Sequence, residues 1–285
     1  MIQVFIAGLL WGTVGVFVKG LASLGAGGAL ISFLRMSSAL VIALAIGIFT
    51  HGRKIIIRDK KTMLYCFLLG IICNGMFNIS YTASIRLNGM GIACVLMYTA
   101  PVFTALGSWL IFRERFTPAK IFALAVNIAG CVLTVTGGDF SGGNVSLMGI
   151  LAGIGSGFGY GMAAVIGRLA GEKADAITVS VYSYFAAALF LLVFMRPDIS
   201  IAVKSPSVMG LGFLYGLVPT AFAYVVYYNG LKKIHDTSKV PVVASIEPVA
   251  AVLIGSLIYN EQIGAVNLVG VAVVLISIII MAKTK

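Results

Sequence analysis

The chain has 285 residues, of which 60% are hydrophobic and only 10% charged, with a net charge of +11 and a mean hydropathy of +1.07. A soluble domain keeps roughly a quarter of its residues charged to face water, so composition excludes one and makes lipid the solvent. The positive charge forms no basic stripe interleaved with aromatics, which argues against nucleic acid as a partner.

A membrane-spanning helix needs about 20 mostly apolar residues. Ten stretches meet that need, at 2–22, 28–49, 62–85, 89–112, 118–137, 146–167, 176–195, 207–231, 238–259 and 264–282. The expected fold class is an all-α integral membrane protein of ten transmembrane helices. No basic region or small-residue cleavage site marks the first stretch as a signal peptide, so it reads as a retained helix. It holds Trp11 beside Gly12 and Gly15, small neighbours that favour close packing and a cavity-facing ring. The second holds Arg35, the third Asn74, Asn78 and Tyr81, and the fourth Tyr98 and Pro101.

The loop GGDFSGGNVS (137–146) has no Lys or Arg and reads as a linker, at 139–145, between a first unit at 1–138 and a second at 146–285. The sixth stretch carries GIGSGFGYGMAA (153–164), which includes Tyr160. No strand precedes it and no GKS or GKT follows, so helix packing explains it better than nucleotide binding. The seventh carries Tyr182, the eighth Pro219, Tyr224, Tyr227 and Tyr228, and the ninth Pro241, Glu247 and Pro248.

Basic residues set the orientation. Fifteen of the twenty fall in alternate loops and the tail, among them Arg53, Lys54, Arg113, Arg168, Lys232 and Lys285. Four (Lys19, Arg86, Arg196, Lys204) fall on the other side, and Arg35 lies within a span. Cytoplasmic loops collect Lys and Arg, so both termini are expected in the cytoplasm.

Shifting the chain by 147 residues lays VLMYTAPVFTALGSWLIFRE (95–114) on VVASIEPVAAVLIGSLIYNE (242–261), with seven of twenty positions identical. Those seven include Pro101 on Pro248 and Glu114 on Glu261. Each half holds five spans, an odd number, so the second half enters the membrane from the opposite side. Glu114 is expected at the cytoplasmic face and Glu261 outside. Inverted repeats recur in secondary transporters, with the substrate site near midplane between them.

The five-helix halves, the Trp11–Gly12 pair, the arginine of FLR (Arg35) and the paired APVFTALGSWLIFRE and EPVAAVLIGSLIYNE resemble the drug/metabolite transporter superfamily and its EamA family. The resemblance covers the whole chain. It implies a ten-helix bundle around a central cavity, with the fifth and tenth helices peripheral. It also implies alternating access for small metabolites, often amino acids or amines. Ala100 stands where Glu247 stands in the second half, so only one half carries the acid.

A charge at the bilayer centre costs about 3 kcal/mol on insertion scales, so Arg35 and Glu247 need a function or a partner. Glu247 is the candidate for binding a substrate ammonium or for taking up a coupling proton. Its alternative is structural, a pair with Arg35 or hydrogen bonding to neighbouring helices. Arg35, Pro101 and Pro248 are expected to be structural or gating, each proline bending its helix by removing a backbone donor. Trp11, Asn78, Tyr81, Tyr160 and Tyr224 are the expected pocket, suited to a cation through cation–π attraction.

His51 and His235 stand alone in loops, and Cys66, Cys73, Cys94 and Cys131 sit singly in apolar runs, so neither metal nor cofactor is expected. No catalytic constellation lies within a span, so an enzyme is not expected. The expectation is a monomeric carrier of a small amine or amino-acid-like substrate in the inner (plasma) membrane, coupled to H+ or to exchange. A choline-type organic-cation carrier and a passive channel are the alternatives.

Overall fold

Lipid tails are as apolar as leucine, so hydrophobic burial cannot hold membrane helices against one another. Close backbone approach and buried polar contacts must do so. The computed structural model describes residues 1–115, 117–139, 146–194, 205–260 and 262–283, with backbone alone at 53, 54, 90 and 91. Among the described residues the secondary structure is helical throughout.

Among the described residues nine helices are long and apolar enough to span a membrane. They are α1 (Ile2–Ser23), α2 (Gly28–His51), α3 (Lys60–Gly89), α4 (Ile92–Phe112), α5 (Pro118–Thr136), α6 (Leu147–Gly171), α8 (Pro206–Leu231), α9 (Thr237–Tyr259) and α10 (Ala265–Lys283). Between α6 and α8 lies α7 (Ala176–Leu192), a shorter apolar helix of 17 residues. All ten apolar stretches of the sequence therefore form helices, within a few residues of their expected ends. Their outward surface is greasy: Phe49 is 90% exposed and Leu257 83%, as a lipid-facing belt requires. The expected linker at 140–145, Arg196, Lys204, Glu261 and Lys285 lie outside the described residues, as do the side chains of Arg53 and Lys54.

Several spans are interrupted. α1 breaks at Gly12–Thr13, α4 at Tyr98–Thr99 and α9 at Ser245. α3 contains a π-helical segment, Leu69–Met76, and α8 another, Leu217–Phe222. The bends expected from Pro101 and Pro248 are thus full breaks placed just ahead of each proline. Each proline then sits in the first turn of the segment that restarts, where its missing N–H costs no helical bond.

Apart from the α1 break, whose counterpart at 159–160 lies within the unbroken α6, these irregularities recur about 147 residues apart. The break at Tyr98 is matched by that at Ser245, and α5 (118–136) by α10 (265–283). Among the described residues two non-glycine positions have positive φ, Arg113 at 55° and Asn260 at 53°, and they end α4 and α9 at the same relative position. The π segments correspond to within one residue.

The breaks are covered by glycines of a crossing helix. A Cβ on Gly161 of α6 would stand 2.4 Å from the carbonyl oxygen of Ala100, and one on Gly8 of α1 would stand 2.6 Å from that of Ala244. The glycine-rich stretch of α6 is accordingly a packing face. Gly15 differs from expectation: nothing lies within 4 Å of its would-be Cβ, so it borders open space rather than packing closely.

This contrast is testable by adding one methyl group at two places on α6. Gly161→Ala should destabilise by about 1–3 kcal/mol through overpacking and lower the thermal midpoint by several degrees. Gly155→Ala, whose nearest neighbour is 3.7 Å away, should leave it unchanged. Equal midpoints in a detergent melt would show that the glycine contact is no constraint.

Candidate functional site

Glu247 lies two residues past the α9 break, in the first turn of the segment Ile246–Tyr259. Free backbone N–H groups at a helix start favour a negative charge, so the break prepares a place for a carboxylate inside the membrane. Glu247 is half-buried, and its Oε2 accepts a 2.6 Å hydrogen bond from the Tyr160 hydroxyl of α6. Among the described residues no ion pair joins it to Arg35; its hydrogen bond goes instead to the neighbouring helix α6.

Aromatic rings surround this contact. Trp11 meets Tyr160 edge-on at 6.1 Å between centroids and lies 5.1 Å from both Tyr224 and Tyr227. Phe77 stands 5.7 Å from Tyr160 and stacks on Tyr81 at 5.9 Å. Trp11 is 5% exposed, and its Nε1–H finds no hydrogen-bond partner among the described residues. An unpaired buried donor costs about 1–3 kcal/mol, and this one sits on the ring packed against Tyr160.

The expected pocket residues therefore divide. Glu247, Tyr160, Trp11 and Tyr224 come together, and Tyr81 joins through Phe77. The Tyr81 hydroxyl is spent on Cys94 Sγ at 2.8 Å. Asn78 belongs to a separate polar group: its Nδ2 donates to the Asn74 carbonyl at 2.5 Å and its Oδ1 accepts from Ser32 at 3.4 Å. Phe77 and Tyr227 complete the ring shell. Sequence reading passed over Phe77 because an apolar ring in an apolar span carries no local signal.

Arg35 is buried and donates from Nε to Thr220 Oγ1 at 3.0 Å, while its guanidinium lies 5.2 Å from the Tyr215 ring. Thr220 in turn donates to the Tyr215 carbonyl five residues back, at 3.0 Å. That carbonyl lies where the π segment of α8 begins, so Arg35 braces α2 against the irregular turn of α8.

A second polar cluster closes the face that carries the chain termini. Glu114, just past α4, accepts from the backbone N–H groups of Thr237 and Ser238 at 2.8 and 3.1 Å, capping the start of α9. Arg168 Nη1 of α6 lies 2.6 Å from Glu114 Oε1, 2.6 Å from Thr237 Oγ1 and 2.9 Å from the His235 carbonyl. Its guanidinium also covers the Phe112 ring at 4.0 Å. Beside it, Lys120 of α5 pairs with Asp236 at 2.5 Å. Burial opposes the charge on Asp236, but hydrogen bonds from Lys120 and Ser238 outweigh it and hold the carboxyl below its usual range. On the opposite face, the Tyr259 hydroxyl donates to the Val16 carbonyl at 3.2 Å and Lys19 lies over the Tyr259 ring at 4.7 Å. Leu21 stands 147 residues before Arg168, so the second face lacks that cation in the corresponding place.

The sequence matches the family model of the EamA-like transporter family over residues 1–136 and again over 147–283. It is 26% identical over 278 residues to an uncharacterized transporter of Archaeoglobus fulgidus, covering 97% of this chain and 94% of that one. The uncharacterized inner membrane transporter YicL of Salmonella typhimurium is 22% identical, over 99% and 94% of the two chains. A crystal structure superimposes with a TM-score of 0.82 at 18% identity, covering 99% of this chain and 95% of that one, which shows a shared fold.

Arg168→Gln should loosen the polar closure without touching the central site. Hydrogen exchange at residues 235–241 should rise by roughly tenfold or more, the equivalent of about 1.4 kcal/mol. In the parent, acid should have a related effect. A depressed carboxyl stabilises above its unfolded value of about 3.9 and loses that contribution as pH falls through the folded one. Asp236 should therefore hold at neutral pH and release only below about pH 4. Unchanged exchange in Arg168→Gln would show that the cluster does not hold this face closed.

Proposed function

The chain belongs to the EamA-like transporter family, and from that premise we propose that it is a secondary active transporter of a small amine or amino-acid-like metabolite, with Glu247 as the charge-sensing group. One observation carries this reading: a half-buried membrane carboxylate whose hydrogen-bond partner is a neutral phenol, itself packed against Trp11 and Phe77, with Tyr224 and Tyr227 packed on Trp11. A carboxylate held by a cation would already be neutralised. One held by Tyr160 retains a charge that either a substrate ammonium or a proton can balance.

Competition between the two provides coupling. When the ammonium leaves, a proton takes its place on the acid, and the empty carrier returns with a proton in place of substrate. Trp11, Tyr160, Tyr224 and Tyr227 face a bound cation with ring quadrupoles, each contact worth about 0.5–2 kcal/mol according to its desolvation. The same rings suit a choline-type cation, which is the second reading. A quaternary cation cannot donate a hydrogen bond to Glu247, so the direct Tyr160–Glu247 contact favours the ammonium.

The two halves, 1–138 and 146–285, would rock against each other about this site. Fifteen basic residues on the side of the termini argue that this side is cytoplasmic, in the inner or plasma membrane. The Glu114–Arg168 cluster is then the cytoplasmic gate, closed in this conformation. A passive channel would need no such alternation, and it would show no stimulation of uptake by substrate on the far side.

Glu247→Gln should abolish pH-gradient-driven uptake in proteoliposomes tested against a panel of primary amines, amino acids and choline. Tyr160→Phe should retain uptake but weaken it by about tenfold, the size of one charge-assisted hydrogen bond. Uptake by Glu247→Gln with the parent's rate and pH dependence would remove Glu247 from the chemistry.

A further inference from the structure

The α9 break that presents Glu247 is held by residues that the transport site does not include. Ser245, where the helix stops, has φ −70° and ψ 9°, and its Oγ donates to the Val242 carbonyl at 2.6 Å. Asn127 of α5 donates through Nδ2 to Ser245 Oγ at 2.5 Å and to Ser277 Oγ of α10 at 2.9 Å. All three side chains are buried, at 1%, 4% and 0% exposure for Asn127, Ser245 and Ser277. An amide has two N–H donors, so this network uses both, one for each neighbouring helix.

The corresponding positions of the other half are different. Val274, Tyr98 and Gly130 stand 147 residues from Asn127, Ser245 and Ser277, and the α4 break packs through Tyr98, Cys131 and Val274 as part of an apolar cluster. Shared architecture therefore does not require the amide. It sits on α5 of the first half, yet it holds the break of the half that carries the acid, at Ser245, two residues before Glu247.

We propose that Asn127 is a positioning residue: it pins the Ser245 break to α5 and α10 and thereby sets the direction in which Glu247 meets Tyr160. The inference rests on Glu247 as the charge-sensing group and adds what aims it. It also gives the peripheral α5–α10 pair a task, as the fixed post against which α9 is held.

Asn127→Leu separates positioning from folding, because Ser245 and Ser277 keep their own bonds to the Val242 and Val274 carbonyls at 2.6 and 2.7 Å. The chain has two tryptophans, so Trp109→Phe leaves Trp11, which touches Tyr160, as the fluorescent probe. The measurement is the emission of the detergent-purified full chain between pH 4 and 7. The other groups that face Glu247 are Tyr81 of α3, Cys94 and Tyr98 of α4, Cys131 of α5, Tyr160 of α6, Tyr215 and Tyr224 of α8, and the permanently charged Arg35 of α2. Phenols and thiols ionise near about 10 and 8.5, above this window.

The expected result is a titration step that Glu247→Gln removes and that Asn127→Leu displaces by at least half a pH unit, with the thermal midpoint within about 2 °C of the parent. Thr134→Val, which deletes a buried hydroxyl elsewhere on α5, should leave the step in place. A step lost in Glu247→Gln but unmoved by Asn127→Leu, or moved equally by Thr134→Val, overturns the positioning role alone. A step that survives Glu247→Gln, or no step at all, overturns the Glu247 reading and this inference with it.

Discussion

Inside a bilayer every backbone N–H and C=O must find a partner within the protein, because no water is there to provide one. A chain that breaks its helices in mid-membrane violates the simplest solution, and much of this structure consists of the compensations. Glycines bring crossing helices up against the carbonyls of Ala100 and Ala244 at the two breaks. Asn74 reaches back to the Leu69 carbonyl and Thr220 to that of Tyr215, each five residues earlier and each where a π segment begins. Arg35 is tied to the second of these repairs. A residue that looks like a stray charge in the second helix is, in three dimensions, part of the bracing of an irregular backbone.

The two halves share the backbone solution and differ in the chemistry placed on it. The α4 and α9 breaks and the left-handed helix ends recur at one offset and the π segments to within one residue, so they belong to the common architecture. Glu247, Asn127 and Arg168 have Ala100, Val274 and Leu21 at the corresponding positions. Symmetry gives a carrier two related conformations, but a perfectly symmetric one would bind and close identically from both sides. On the proposed reading, the substitutions would bias that balance. The second half supplies the acid, the first supplies the amide that holds the break beside it, and one face carries the charged cluster.

Much of the architecture was legible because lipid imposes it residue by residue. Apolar runs of spanning length, the uneven loop charges and the recurring Pro and Glu are local or periodic signals, and they located ten helices to within a few residues. The position of the breaks was less legible. Pro248 announces a missing donor, but whether the helix bends or stops depends on how Ser245 and its partners satisfy the backbone. Gly15 looked like a packing glycine, yet its surroundings are open, and only the helix crossing angle decides that. Asn127 and Thr220 gave no signal at all. A single amide or hydroxyl in an apolar span reads as tolerated polarity until a partner more than a hundred residues away is seen opposite it.

α9 connects these levels. Its first N–H groups are capped by Glu114 at Thr237 and Ser238, its break is held at Ser245, and its carboxylate stands at 247. From Ser238 to Glu247 the rise is about 13 Å, short enough for one rigid segment to feel both ends. A ligand can shift a conformational equilibrium only by its difference in affinity between the two states. A change of charge at Glu247 therefore bears on the gate only if the α9 segment between them transmits it. The break at Ser245 lies inside that segment, so a loose break would absorb the motion locally and leave Glu114 and Arg168 in place. On the proposed reading, holding the break is what would let one carboxylate both bind and act on the Glu114–Arg168 cluster more than about 10 Å away.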